Sequence, residues 1–158
     1  METLIKPKIL TLCLTKEDGM ILLGMKKRGF GEGRWNGFGG KVEEGETVIE
    51  AAIRETKEES GLNVEELEEK GIVHFHFLDT GKIMEVHIFD VLKYGGEIIE
   101  TEEMSPKWFK VDEIPFDKMW ADDVYWMPLF LNGEKFKGKF VFENNDKLLN
   151  YNLEKYDS

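Results

Sequence analysis

A chain of 158 residues with 41% hydrophobic side chains, among them eleven Phe, four Trp and four Tyr, holds enough apolar surface for one packed core. That excludes a wholly disordered chain. Its net charge of -11, from 32 Asp and Glu against 21 Lys and Arg, argues against binding polymeric nucleic acid, which calls for basic phosphate contacts.

Residues 1–8 lack the makeup of a secretory leader, and no apolar run is long enough to span a bilayer. No membrane association is expected; the cytosol is the expected compartment, with room for a mitochondrial or nuclear share. Residues 9–15 predict a strand. Cys13 within it reads as a buried small apolar residue, and as the single cysteine it forms no internal disulfide, which suits a reducing compartment. Glu17-Asp18-Gly19 supplies turn chemistry before a second strand at 20–25. The glycine-dense stretch 29–40 predicts a loop whose backbone approaches a ligand closely.

Residues 47–60 predict a helix. Thr47 and Glu50 match a capping box, Gly61 is a stop signal, and Val48, Ile49, Ala52 and Ile53 form an apolar face. Strands are predicted at 72–78 and 84–92, joined through Asp79-Thr80-Gly81, and at 107–111. Residues 122–131 predict a second helix, shortened or bent near Pro128. Phe136, Phe140 and Phe142 mark a late strand, and Tyr151 and Leu153 a last one. No repeat or linker interrupts the chain. Strands with two helices between them predict an α+β fold with a mixed sheet, as one domain over residues 1–158.

The clearest chemistry lies in Arg54-Glu55-Thr56-Lys57-Glu58-Glu59. On a helix, Glu55, Glu58 and Glu59 share one face, where each like-charge pair costs roughly 0.2–0.5 kcal/mol. A hard divalent cation reverses that sign, because Mg²⁺ takes oxygen ligands. Alone, such a run reads as a solvated helix face. Here it sits within Gly40-x5-Glu46-x7-Arg54-Glu55-Thr56-x-Glu58-Glu59-x-Gly61-Leu62. The chain thereby resembles the Nudix hydrolase family, whose box reads G-x5-E-x7-R-E-U-x-E-E-x-G-U with U aliphatic. Thr56 is the one departure, at a position that normally packs inward, so it bears on packing more than on chemistry.

The resemblance implies an α/β/α sandwich around a mixed sheet and cleavage of a diphosphate bond with Mg²⁺, or Mn²⁺ in its place. It implies Gly39 (through its carbonyl), Glu55, Glu58 and Glu59 as metal ligands, with Glu103 as a further ligand and Glu102 next in line. Glu55 and Glu59 rank together as the base, and a bidentate pair from Arg54 is expected to fix Glu55.

Beyond the box, residues 24–31, 33–42 and 120–126 are similar to the branch of the family that clears oxidised purine nucleoside triphosphates, the animal MutT homologues. The likeness runs from about residue 10 to about residue 151. It implies hydrolysis of 8-oxo-dGTP and 2-hydroxy-dATP to the monophosphate and pyrophosphate, by a monomer acting on small nucleotides to sanitise their pool. By the family pattern Thr11, Lys26, Phe30, Asn36, Phe38, Gly39, Gly40, Lys41, Phe75, Met84, Trp120, Asp122, Asp123 and Trp126 bind the substrate.

Two neighbouring acids in an apolar site do not both ionise cheaply, so one of Asp122 and Asp123 is expected to stay protonated. Such a pair both donates and accepts, and matches more than one purine edge by moving its proton. Trp120 offers a stacking face and Asn36 an amide. Each has a plainer reading. Asp122-Asp123 suits a helix N-cap, Trp120 and Trp126 suit the core, and so do Phe75, Phe77 and Met84. His74, His76 and His87 are too scattered for a zinc site. Two other functions stay open: a Nudix hydrolase of a methylated purine nucleotide or dinucleoside polyphosphate, and a non-catalytic nucleotide-binding module. The intact Glu55, Glu58 and Glu59 argue against the latter. Residues 154–158 carry no readable function.

Overall fold

The computed structural model describes residues 6–156, so most of the stretch read as lacking a leader and the last two residues of the tail lie outside it. Among the described residues the strands are β1 (Lys8–Glu17), β2 (Met20–Lys26), β3 (Trp35–Asn36), β4 (Asn63–Phe77), β5 (Lys82–Gly95), β6 (Met104–Lys110), β7 (Lys135–Asn144) and β8 (Lys147–Tyr156). The helices are α1 (Val48–Ser60) and α2 (Asp123–Leu131), with short 3-10 turns at Val111–Glu113 and Phe116–Lys118. One sheet runs β3-β2-β1-β5-β4-β7-β8, with β6 alongside β2. It is mixed: β1 pairs β5 and β4 pairs β7 in parallel, the other neighbours antiparallel.

Alternation along β5 sorts the core into two layers. Phe89 and Val91 pack with Cys13, Val64 and Ala52 of α1. Val86 and Ile88 point to the other face, where Trp126, Met127 and Phe130 of α2 meet Phe136, Phe140 and Phe142 of β7. The helices therefore cover opposite faces, the expected sandwich. No helix among the described residues is long and apolar enough to cross a membrane.

β1 and β2 pair only where Thr15–Glu17 meets Met20–Leu22. Beyond that they splay, and the glycine-rich segment fills the gap. On one side Asn36 pairs with Gly24 and Trp35 with Met25. On the other, the Cys13 N–H donates to the Phe38 carbonyl at 2.6 Å, Thr11 N–H to Gly40 at 2.9 Å, and Val42 N–H to Ile9 at 3.0 Å. The backbone groups of two parted strands are satisfied by this third piece of chain. The fit is tight: a Cβ on Gly39 would overlap the Thr11 carbonyl.

The box helix begins as read. Thr47 Oγ1 accepts from the Glu50 N–H at 3.1 Å, and the Glu50 carboxylate accepts from the Thr47 N–H at 2.9 Å. Gly61, at φ 84°, closes it through its N–H to the Lys57 carbonyl. The apolar face differs from the reading. Ile49 and Ile53 are 53% and 36% exposed, while Ala52, Thr56, Glu59 and Ser60 are buried. The inward stripe follows Val48 and Ala52, and Ile49 and Ile53 stand one residue on, rotated towards solvent. Small side chains let α1 lie close on the sheet. Thr56 packs inward as its position demands, but among the described residues its hydroxyl has no hydrogen-bond partner within 3.5 Å (4.0 Å for sulfur).

Three further elements depart from expectation. β4 starts at Asn63, well ahead of residue 72, through the charged run Glu65-Glu66-Leu67-Glu68-Glu69-Lys70. Bulges between Val64 and Glu66, Glu66 and Leu67, and Glu69 and Gly71 break the alternation that would have marked it. β6 begins at Met104, before the expected 107. α2 continues through Pro128 to Leu131.

Candidate active site

A cavity of about 250 Å³ opens between β1, β4, β5 and the glycine segment. Its walls are mostly apolar. Its lining includes Glu59 of α1 with Lys26, Gly39 and Gly40, and Trp120 with Asp122, Asp123 and Trp126.

The box carboxylates are organised by Arg54. Its guanidinium grips Glu46 with two bonds, Nε to Oε2 at 2.6 Å and Nη2 to Oε1 at 2.9 Å. Nη1 reaches Glu55 at 2.9 Å and Glu58 at 3.3 Å. The bidentate partner is thus Glu46, not Glu55, because the fork's paired edge faces the loop that leads into the helix. Arg54 holds the Glu46 carboxyl down to about 2. The Glu55 carboxyl rests against Gly40, where a Cβ would lie 2.5 Å from Glu55 Cδ.

Glu59 is different. It is 7% exposed, accepts the Gly39 N–H at 2.9 Å, and has Lys26 Nζ 3.8 Å away. Burial pushes its carboxyl up to about 7 against the pull of those two groups. Glu103 meets Lys26 at 3.2 Å and Arg28 at 2.8 Å. Among the described residues no three His, Cys, Asp or Glu side chains converge as a finished metal centre. The donors nevertheless suit a hard cation: Glu55, Glu58 and Glu59 offer carboxylate oxygens from one helix, and Gly40 leaves room for Glu55.

On the same cavity, Asp122 and Asp123 are each 2% exposed. Asp122 stands at the N-cap position of α2, but its carboxylate accepts from Trp126 Nε1 at 2.7 Å and makes no capping bond. Among the described residues no donor reaches Asp122 Oδ1 or Asp123 Oδ2 beyond a proton carried by the pair itself. Burial raises both carboxyls, and Asp123 further because Asp122 lies beside it. Asn36 accepts from the Gly37 N–H at 2.9 Å, leaving its NH₂ to donate.

A family model described as the NUDIX domain matches residues 6–130. The chain belongs to the Nudix family. It is 50% identical over 150 residues to the oxidized purine nucleoside triphosphate hydrolase of Danio rerio, covering 95% of this chain and 96% of that protein. The protein of the same name from Mus musculus is 50% identical over 151 residues, covering 96% and 97%. The crystal structure of the mutator MutT protein from Bacillus halodurans matches with a TM-score of 0.83 at 30% identity, over 93% of this chain and 97% of that one. Nudix hydrolases generally need a divalent metal.

Most of the family's substrate positions fall on the cavity of this Nudix hydrolase. Thr11, Lys26, Phe30, Asn36, Gly39, Gly40, Phe75 and Met84 line it, as do Trp120, Asp122, Asp123 and Trp126. Phe38 and Lys41 do not. Phe38 is 1% exposed in a core cluster with Leu22, Leu62 and Met104, because successive residues of an extended segment point to opposite faces. Lys41 is exposed and offers only its carbonyl, to Arg54 Nη2 at 3.1 Å. Phe77, Val86, Ile88 and Leu12 line the cavity unforeseen. Strand alternation from Phe75 and Met84 leads to the first three. His74 and His87, apart in sequence, meet on opposite oxygens of Glu85 at 3.1 and 2.7 Å.

Proposed function

We propose that this Nudix hydrolase cleaves oxidised purine (deoxy)nucleoside triphosphates to the monophosphate and pyrophosphate with Mg²⁺. The observation that carries the reading is one cavity lined both by the buried, adjacent acids Asp122 and Asp123 and by the box carboxylate Glu59. The names of the zebrafish and mouse relatives support it.

The purine enters the apolar end. Asp122 and Asp123, one of them neutral, present a donor and an acceptor to its edge, and Asn36 adds an amide. Moving the proton between the two acids lets the same pair take an oxidised guanine or an oxidised adenine. Trp120 stacks on the ring. The phosphate chain then lies towards the backbone of Gly39 and Gly40. Glu55, Glu58 and Glu59 would hold Mg²⁺, with the Gly39 carbonyl and Glu103 completing the set. When bound, the ion supplies charge neutralisation at the phosphates. Glu59 is the box carboxylate on the cavity wall, and we assign it the water's proton; Arg54 and Glu46 hold Glu55 in place. A monomer in the cytosol, acting on free nucleotides, is the setting this reading implies.

Steady-state kinetics on 8-oxo-dGTP, 2-hydroxy-dATP, dGTP, dATP, a methylated purine triphosphate and a dinucleoside polyphosphate, with and without Mg²⁺, test the proposal. Higher kcat/KM for the oxidised purines, and pyrophosphate release that stops with EDTA, are expected. Preference for an unmodified, methylated or dinucleoside substrate overturns it.

A further inference from the structure

Trp120 packs against its aromatic neighbours largely by their edges, with Phe77 at 68° and Phe142 at 88° to its plane. Phe30 lies nearer to parallel, at 5.0 Å and 31°, but stands 42% exposed on the glycine loop. A cation covers the indole directly: Arg34 Cζ sits 4.3 Å from the ring centroid. Trp120 lines the cavity and Arg34 does not.

Arg34 is itself held. Its backbone is pinned at both polar groups, with the Lys26 N–H donating to its carbonyl at 3.0 Å and its own N–H to Gly31 at 3.1 Å. Its Nη2 crosses to the β7–β8 turn, donating to the Asn145 carbonyl at 3.1 Å and to Asp146 Oδ1 at 2.6 Å. Glycine loop, turn and indole are thereby joined through one side chain that is only 20% exposed.

We propose that Arg34 is a positioning residue for the purine, fixing Trp120 as a flat stacking surface, and that the Asn145-Asp146 turn fixes Arg34. The proposal rests on the purine reading of the cavity. A planar, delocalised guanidinium lies flat on an indole where an ammonium does not. An indole ordered before the base arrives loses little freedom on binding, so the effect falls on affinity and not on the chemical step.

The test compares wild type, Arg34→Ala, Arg34→Lys, Asp146→Ala and the Arg34→Ala/Asp146→Ala double variant on the best purine triphosphate substrate. Indole fluorescence on titrating a purine nucleoside monophosphate is the second readout. Arg34→Ala is expected to raise KM about 3- to 30-fold at unchanged kcat, the range a cation–π contact spans. Arg34→Lys falls between, since it keeps the ion pair but loses the flat stack. Asp146→Ala shifts KM less, and adds nothing in the Arg34→Ala background. An unchanged KM in Arg34→Ala, a fall in kcat at constant KM, or additive effects in the double variant overturn the proposal. If Arg34→Ala does not fold, Asp146→Ala at its exposed turn carries the test. If wild type turns over no purine triphosphate, the functional proposal fails and the titration alone decides on Arg34. A response lost in the variants supports its role, and one that persists in them, or is absent from wild type, overturns it.

Discussion

Replacing Thr56 by Val should stabilise this protein. Thr56 is 1% exposed on the face of α1 that meets the sheet, and its hydroxyl has no partner. The Cys13 thiol is the polar group beside it: the thiol points at the Ala52 carbonyl at 3.8 Å, and its contact with Thr56 only partly offsets the effect of its burial. Burial lifts that thiol to about 11, so it stays protonated. A hydroxyl buried without a hydrogen bond costs about 1–3 kcal/mol in proteins. Valine keeps the branched shape and replaces the hydroxyl with a methyl, at nearly the same helix propensity. For a chain of this size each kcal/mol moves Tm by about 2–4 °C, so a rise of about 2–12 °C is expected. Thermal unfolding followed by circular dichroism, with Thr56→Ser as control, measures it. Thr56→Ser should fall below wild type, because it keeps the hydroxyl and loses a methyl. A Thr56→Val Tm equal to or below wild type refutes the reasoning, since the hydroxyl would then have a partner. Turnover should hold, as Thr56 is not on the cavity wall.

The acid pair gives a pH signature. Burial raises the folded Asp123 carboxyl well above its unfolded value, so its contribution is fully present below about pH 3.8 and is lost as pH rises through the folded value. Asp123→Asn has no proton to lose, so its Tm advantage over wild type should grow with rising pH; parallel Tm–pH curves would contradict this. The same variant should narrow the kcat/KM ratio of 8-oxo-dGTP to dGTP, and an unchanged ratio would remove the pair from recognition. Glu59→Gln should lower kcat about 10²–10⁴-fold with the fold intact, and wild-type turnover in that variant would sink the assignment. The adjacent glycines should part company. Gly40→Ala meets only the far end of Glu55 and should fold, yet lose about 10²-fold in kcat by displacing that carboxylate, whereas Gly39→Ala meets the Thr11 backbone and should melt far lower. Equal melting temperatures for the two would refute that contrast.

Features written in local chemistry are legible in the sequence. Thr47, Glu50 and Gly61 bound α1, and the box spacing marks Glu55, Glu58 and Glu59. Features set by distant partners are not. β3 hides in a glycine run because its meaning comes from β2, and the first half of β4 reads as a charge run because its bulges hide the pairing with β5. Periodicity carries no trace of the parallel pairing of β1 with β5. At the site, the acid pair and most of the cavity wall are readable by likeness to the family. Phe38 and Lys41 are not, since an extended segment alternates its faces and the likeness alone does not say which face is turned to the ligand. Arg34 leaves no signal, because its ring and its anchor lie on elements far along the chain.

The splayed pair of strands also sets where this chain tolerates a change of length. Asn36 is registered to Gly24 at one end of the inserted segment, and Val42 to Ile9 at the other. One extra residue between them would break one of the two registers, and the slots of Gly39, against the Thr11 carbonyl, and Gly40, against the Glu55 carboxylate, have no room for a side chain. At the hairpin turn of the same two strands, a Cβ on Gly19 would meet nothing within 4 Å, and an added residue there puts at stake one hydrogen bond, from the Val111 N–H to the Gly19 carbonyl at 3.1 Å, while lengthening a surface loop at little entropic cost. One end of the hairpin is open to insertion, and the other is counted to the residue.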